Sequence, residues 1–348
     1  MKRRSISLIL ALAMIILTFA GCAGGKTEST IPPESKAPES VASESTTPPE
    51  TAKIDYPTQG ITLTVPSKAG GAIDMVSRTL ATEMEKTLGQ TITVVNKEGG
   101  AAGAIAEYYA TAKNDGYNLF IIDKGMLSNH VAGTFTVSYM DFDPIAQVDE
   151  SVQLIVCNSA LPYETLEDVV EAANANPDTI TIGCTGTAGI SFLSVFGVVN
   201  NKAPLKIVPY TGGAELKAAI SGGDVNLASL KTSEVVALEE GGYLRVLACC
   251  GDKRVEAYPD VPTLKELGID FAITQATSLW VPKGTDPEII SILEEAVKTA
   301  VESDTYQELC KTSLTNPKYL NSAELLEYSE SEYAKIFDML DAAGVAKK

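Results

Sequence analysis

Apolar and polar positions alternate from residue 61 to 66, which places Ile61, Leu63 and Val65 on one face of an extended strand. Ser67-Lys68-Ala69-Gly70-Gly71 breaks the alternation, and Ile73, Val76, Leu80, Met84 and Leu88 follow at helical spacing. The same succession of strand, glycine turn and helix returns at 92–96, ahead of Gly99-Gly100-Ala101-Ala102-Gly103 and a helix through Ile105, Tyr108 and Tyr109. It returns again at 180–182, ahead of Gly186-Thr187-Ala188-Gly189-Ile190-Ser191, and at 207–210, ahead of Thr211-Gly212-Gly213-Ala214 and a helix to Ile220. Strands separated by helices pair in parallel, so the pattern predicts an α/β architecture with largely parallel sheets. Residues 118–122 and 225–228 add short strands behind Asp115-Gly116 and Gly223-Asp224.

Several helix ends are written in capping chemistry. Thr165 with Asp168 forms a capping box ahead of Val169, Val170 and Ala173, and Asn176-Pro177 stops that helix. Thr285 with Glu288, and Pro287 in the first turn, start a helix through Ile290, Leu293 and Val297. Asn321 and Glu324 start the last helix, which stops near Gly344, so two long helices follow the final strand-like run at 271–281. A chain of 348 residues divides naturally into two lobes, and the runs 146–158 and 271–281 are the strands expected to cross between them.

The amino terminus has a different logic. Met1-Lys2-Arg3-Arg4 is basic, residues 8–17 form an aliphatic run too short to span a bilayer comfortably, and Ala20-Gly21 precede Cys22. This order is that of a bacterial lipoprotein signal peptide, residues 1–21, with Cys22 as the lipidated first residue and Phe19 where Leu is usual. From 22 to 53 the chain is Ser, Thr, Pro, Glu, Gly and Lys with almost no large apolar residue, so it reads as a disordered tether. Gly25-Lys26-Thr27 lacks the spacing and the preceding strand of a phosphate-binding loop.

Composition narrows the function. Hydrophobic residues make up 45% of the chain, charged ones 21%, and the net charge is -18. An acidic surface of that size repels phosphate backbones, which argues against nucleic acid as a partner. One His and six Cys without a C-x-x-C pair leave little material for a zinc site or a Ser-His-Asp triad. No Gly-x-Ser-x-Gly turn is present, so His130 reads as a loop or surface residue and not as a catalyst. Cys157, Cys184, Cys249, Cys250 and Cys310 read as buried free thiols, and Trp280 as core or hinge packing. No metal and no cofactor is implied.

The glycine turns carry the remaining chemistry. A helix start offers unpaired N–H groups and partial positive charge, and glycine lets a ligand approach the backbone. A single turn of this kind is explained by tight packing alone. Four of them at the carboxyl ends of strands, where open α/β sheets place ligands, point to a cleft for a small anion or polar solute. Micromolar binding needs roughly -8 kcal/mol, and about four hydrogen bonds to a charged group at ~1.5 to 3 kcal/mol each supply it. Lys68 either faces a ligand carboxylate or is a solvated surface lysine. Asp74 either caps its helix or accepts a ligand ammonium or hydroxyl.

Taken in order, the segments resemble the extracytoplasmic solute receptors of tripartite tricarboxylate transporters, the Bug-type substrate-binding proteins. The likeness runs from about Tyr56 to the end of the chain. It rests on Tyr56-Pro57, Val65-Pro66-Ser67-Lys68-Ala69-Gly70-Gly71-Ala72-Ile73-Asp74 with Arg78, and Asp115-Gly116-Tyr117-Asn118-Leu119. It continues through Val208-Pro209-Tyr210-Thr211-Gly212-Gly213, Gly222-Gly223-Asp224-Val225, Leu244-Arg245-Val246-Leu247-Ala248, Pro259-Asp260-Val261-Pro262-Thr263 and Val281-Pro282-Lys283-Gly284-Thr285-Asp286-Pro287.

The resemblance implies a two-lobed α/β fold of the periplasmic-binding-protein type II class with two crossing strands. Its first lobe would comprise 54–153 and 281–348, and its second 154–280. It implies a small organic carboxylate bound by Ser67, Lys68, Ala69, Gly70 and Gly71 with Asp74 nearby. Thr185, Gly186 and Thr187, with Thr211, Gly212 and Gly213, would line the opposite wall. This chain departs from the family pattern at Ser67, where an aromatic is frequent, and at 185–191, where a Ser-Gly-x-Gly-Ser run is usual. It departs also at Phe192 or a neighbour, where His is frequent, at Leu230, where the count reaches an Asp, and at Trp280, which is shifted. These departures bear on the ligand and not on the fold.

The expected function is that of a lipid-anchored extracytoplasmic receptor without catalysis, delivering a small carboxylate to membrane permease subunits. A ligand sensor docking on a signalling partner is the alternative within the binding class. A two-lobed α/β enzyme would need a nucleophile or metal constellation that the chain does not display.

Overall fold

The computed structural model describes residues 54–97 and 101–347; the signal segment, Cys22, the tether, Gly99 and Gly100 lie outside the described residues. The chain opens with β1 (Ile61–Val65), α1 (Ala72–Leu88), β2 (Ile92–Asn96), α2 (Ala101–Tyr109), β3 (Asn118–Asp123) and α3 (Gly125–Val131). The long strand β4 (Phe142–Asn158) follows, then α4 (Leu166–Ala175), β5 (Thr181–Thr185), α5 (Ile190–Asn201), β6 (Lys206–Tyr210), α6 (Gly213–Gly222), β7 (Leu227–Lys231), α7 (Thr232–Glu240) and β8 (Leu244–Cys249). The chain closes with β9 (Thr274–Pro282), α8 (Pro287–Glu302), α9 (Asp304–Ser313), β10 (Asn316–Leu320) and α10 (Ser322–Ala342).

The strands run in the order β2-β1-β3-β9-β4-β7-β5-β6, with β8 and β10 also on β4. Pairing is parallel among β1, β2 and β3 and among β5, β6 and β7. Pairs made by β4 and β9 are antiparallel. The strand β4 belongs to both halves. It pairs with β9 from Phe142 to Val152 and with β7 from Gln153 to Cys157. Two lobes therefore share one strand, and the change of partner falls between Val152 and Gln153. The run 146–158 lies within β4, whereas the run 271–281 becomes strand only from Thr274, in β9, which hydrogen-bonds to β3 and to residues 142–152 of β4.

Each lobe buries its own apolar faces. The alternation at 61–66 puts Leu63 and Val65 against Leu80 and Met84 of α1, with Leu279 and Leu293 in the same cluster. In the second lobe Leu154 and Val156 of β4 pack with Leu216, Ile220, Leu230 and Val235. Each such side chain contributes roughly 1.5–3 kcal/mol by leaving water.

The capping boxes at Thr165/Asp168 and Asn321/Glu324 are formed, with both reciprocal bonds present. Helix α8 starts one residue later than its sequence signal: Asp286 caps it, while the Thr285 hydroxyl donates to the Pro282 carbonyl at 2.7 Å. The strand expected at 225–228 lies at Leu227–Lys231, because Asp224 and Val225 are still turning out of α6. Between the two long carboxy-terminal helices the chain inserts α9 and β10.

Candidate functional site

The turn after β1 is held from inside. Gly70 has φ +81°, a conformation that a side chain would strain. Its N–H donates to Asp74 Oδ2 at 2.8 Å, and the Gly71 N–H donates to the Lys68 carbonyl at 3.1 Å. Asp74 is buried and also receives Arg78 Nε at 3.0 Å and Asn96 Nδ2 at 2.8 Å. Burial alone would raise the Asp74 pKa, but hydrogen bonds from Arg78, Gly70 and Asn96 outweigh it and hold the carboxyl below its ordinary range. Asn96 Nδ2 reaches the Ser67 carbonyl as well, at 3.1 Å. Asp74 therefore braces the turn, and its side chain makes no cap bond to α1. Lys68 and Ala69 are exposed, and Lys68 has no ion pair among the described residues. The open helix-start donors of α1 are those of its first turn, after Gly71.

In the second lobe the turn after β5 is similarly engaged. The Thr185 N–H donates to Ser191 Oγ at 3.1 Å, and the Ser191 hydroxyl donates to the Ser229 carbonyl at 3.0 Å. Gly186, at φ +66°, donates its N–H to the Tyr210 carbonyl at 2.9 Å. Thr187 is exposed between them and the start of α5.

The turn after β6 carries its own carboxylate. The Thr211 N–H and hydroxyl both donate to Glu215 Oε2, at 3.1 and 2.6 Å, and these bonds hold Glu215 below the usual carboxylate range. A methyl group on Gly213 would stand 2.6 Å from Glu234 Oε1, whereas Gly212 faces open space. Two glutamates thus surround Thr211-Gly212-Gly213. The Thr211 donors are taken up within the chain and are less available to an anion than the sequence suggested.

Strand register gives the two sets of turns a common direction. In the first lobe β1 and β3 run in parallel, Asp123 at the end of β3 lies opposite Thr277, and Thr277 lies opposite Asp149. In the second lobe Lys231 at the end of β7 lies opposite Gln153, while β5 and β6 run beside β7 in the same sense. The carboxyl ends of both parallel sets therefore point at residues 149–153 of β4. Within that segment Asp149, Ser151 and Gln153 alternate onto one face.

That face is polar and mostly buried. Ser229 Oγ donates to Gln153 Oε1 at 3.3 Å, and the Tyr306 hydroxyl donates to Asp149 Oδ2 at 3.3 Å. Burial pushes Asp149 up to about 6, against the pull of hydrogen bonds from Thr277 and Tyr306 and of the Lys231 charge. Neither Asp149, Gln153 nor Lys231 was picked out from sequence. The signal was the period-two run of Gln147, Asp149, Ser151 and Gln153 through the middle of β4.

Other groups settle into structural roles. His130 lies on α3, half-buried, with Nδ1 2.9 Å from the Tyr333 hydroxyl, so it is not a loop residue. The five described cysteines are buried and free, and burial pushes Cys157 up to about 11 and Cys184 up to about 12. Trp280 is buried in β9. No cluster of three or more metal-ligating side chains occurs among the described residues. Cavities of about 1050, 800 and 350 Å³ are present, and none is lined by the twelve residues of the expected site. The 1050 Å³ groove is walled by charges that include Glu150, Asp252, Lys265, Lys318, Glu332 and Lys335.

The model of the tripartite tricarboxylate transporter family receptor matches residues 76–345. A UPF0065 protein of the gbd 5' region in Cupriavidus necator is 30% identical over 307 residues, covering 86% of this chain and 92% of that protein. The solved periplasmic binding protein BugD superposes with a TM-score of 0.71 at 26% identity, over 84% of this chain and 100% of that one. An R. palustris structure with adipate gives a TM-score of 0.73 at 25% identity, over 84% and 99%. Two lobes sharing crossing strands are thus the periplasmic-binding-protein architecture, and the chain belongs to the receptor family of the tripartite tricarboxylate transporters, whose Bug-type members are solute-binding proteins and not enzymes.

Proposed function

We propose that this receptor binds a small organic carboxylate between its lobes, outside the cytoplasm, and delivers it to the membrane permease of a tripartite tricarboxylate-type transporter. The observation that carries this reading is the direction of the strand ends: helix-start turns of both lobes run toward residues 149–153 of the shared strand. The adipate of the R. palustris relative fits the same ligand class. The first lobe is taken as 54–153 with 281–348 and the second as 154–280, closing about the crossing strands. The ligand-facing turns are Ser67 to Gly71, Thr185 to Thr187 and Thr211 to Gly213, with Asp74 as their support. Lobe closure would create the enclosed cavity around them. A lipid on Cys22, after removal of residues 1–21, would hold the receptor at the membrane through the tether.

Mass spectrometry of small molecules released when the purified protein is unfolded is the direct test. A carboxylate is expected, and calorimetry against a carboxylate panel should then give binding. A receptor that takes up only amines or sugars would end this reading. Labelling with a radioactive fatty acid should mark the wild type and not a Cys22→Ala variant.

A further inference from the structure

The backbone donors of the expected site are partly spent. The amides of Gly70, Gly71, Thr185, Gly186 and Thr211 all have partners within the chain. A protein with a net charge of -18 then needs side-chain cations to hold an anion. The charged 1050 Å³ groove supplies few, because most of the cations that line it are paired. Lys265 pairs with Asp252 at 2.5 Å, Lys318 with Glu150 at 2.7 Å and Lys335 with Glu332 at 2.8 Å.

Lys231 is different. It closes β7 in the second lobe, half-buried, opposite Gln153 of the shared strand. Among the described residues it has no ion pair. Its backbone N–H holds Glu234 Oε2 at 3.1 Å. Ser229, two residues earlier on the same face of β7, bonds to Gln153, and its carbonyl receives the hydroxyl of Ser191 from the start of α5. Strand register puts Lys231 on the face of the sheet that carries Gln153, Ser151 and Asp149, the polar face of the crossing segment. Asp149 itself is occupied by Tyr306 and Thr277.

We propose that Lys231 is a specificity-determining residue: it is the second lobe's cation for a ligand carboxylate, and it selects a ligand carrying a second carboxylate beyond the one met by the first-lobe turn at Lys68. The inference rests on the carboxylate-receptor reading. A ligand with one charge at each end joins Lys68 of one lobe to Lys231 of the other and so favours the closed form. A monocarboxylate of equal length satisfies one lysine only.

Calorimetry with adipate and with hexanoate, which has the same chain length and one charge fewer, separates the possibilities. Wild type is expected to prefer adipate by at least about tenfold, a factor worth ~1.4 kcal/mol. Lys231→Met should lose most of that preference by weakening adipate while leaving hexanoate nearly unchanged. Lys231→Arg should keep it, which separates a charge effect from misfolding. If Lys231→Met binds adipate as wild type does, the assignment of Lys231 is overturned and the receptor reading stands. If wild type binds neither these probes nor any other member of a carboxylate panel, the receptor reading itself fails and this inference falls with it.

Discussion

The Asp74 carboxylate and the Asn96 side-chain amide, 22 residues apart in sequence, meet at 2.8 Å and fasten the end of β2 to the first turn of α1. Asn96 also reaches the Ser67 carbonyl, so one amide ties both sides of the glycine turn.

Asp74→Asn is therefore expected to lower stability at pH 7 by ~1–3 kcal/mol, the scale of hydrogen bonds to a charged group. The folded pKa of Asp74 lies below its ordinary value, so this contribution is present above about pH 4 and is lost as pH falls through the lower folded value. Urea unfolding of both proteins at pH 7 and at acid pH checks it. Equal stability at pH 7 would remove the bracing role.

Two glycines should separate folding from binding. Gly70 has open space around it but a left-handed backbone, so Gly70→Ala costs about 1–2 kcal/mol of stability. Gly212 is extended and equally open, so Gly212→Ala should leave the melting temperature unchanged while weakening the ligand. Loss of stability without loss of affinity in Gly212→Ala would place that turn away from the ligand.

Asp149 predicts the opposite pH behaviour to Asp74. Its folded pKa, about 6, lies above the ordinary 3.8, so the fold prefers the protonated form and loses stability as pH rises from about 4 through 6. Asp149→Asn should flatten that decline and be the more stable protein above pH 6, by up to ~3 kcal/mol. Thermal melts between pH 4.5 and 7.5 read the difference. A wild type whose stability rises across that window relative to the variant would contradict it.

Lys124 leaves the end of β3 and pairs with Glu332 of α10 at 2.7 Å, with the Lys124 side chain only 2% exposed. Its removal leaves Glu332 with the more exposed Lys335 as its remaining ion-pair partner, so Lys124→Met should cost up to about 3–5 kcal/mol, the scale for an uncompensated buried charge. The double variant Lys124→Met with Glu332→Leu should recover part of the loss. A single variant as stable as wild type would show that Glu332 is satisfied by Lys335 alone.

The parts of the fold that were legible in sequence were those where one local rule decides. Alternation followed by helical spacing located β1 with α1, and the capping boxes at Thr165 and Asn321 located α4 and α10. The missed elements lack such a rule. β10 reads Asn-Pro-Lys-Tyr-Leu, a polar edge strand containing proline, and it exists because β4 offers it an unpaired side. α9 buries little beyond Tyr306 and Cys310, too sparse an apolar face to announce itself. At the site, the glycine turns were visible, but their accounting was not. The role of Asp74 depends on Asn96, and Lys231 is placed by a pairing with Gln153, 78 positions earlier on β4. Glu215, four residues after Thr211, was within reach of the capping rule and shows that an acidic first turn takes up the donors a ligand would use.

The strand β4 gives both halves of the molecule their middle partner, and this sets how the receptor comes apart. Neither sheet is complete without it, so heat cannot melt one half and leave the other intact. Denaturation is expected as a single cooperative event, with the slowest amide exchange along Leu154 to Val156, and a truncated half expressed alone would strip both strand neighbours from the part of β4 that crosses into the missing half.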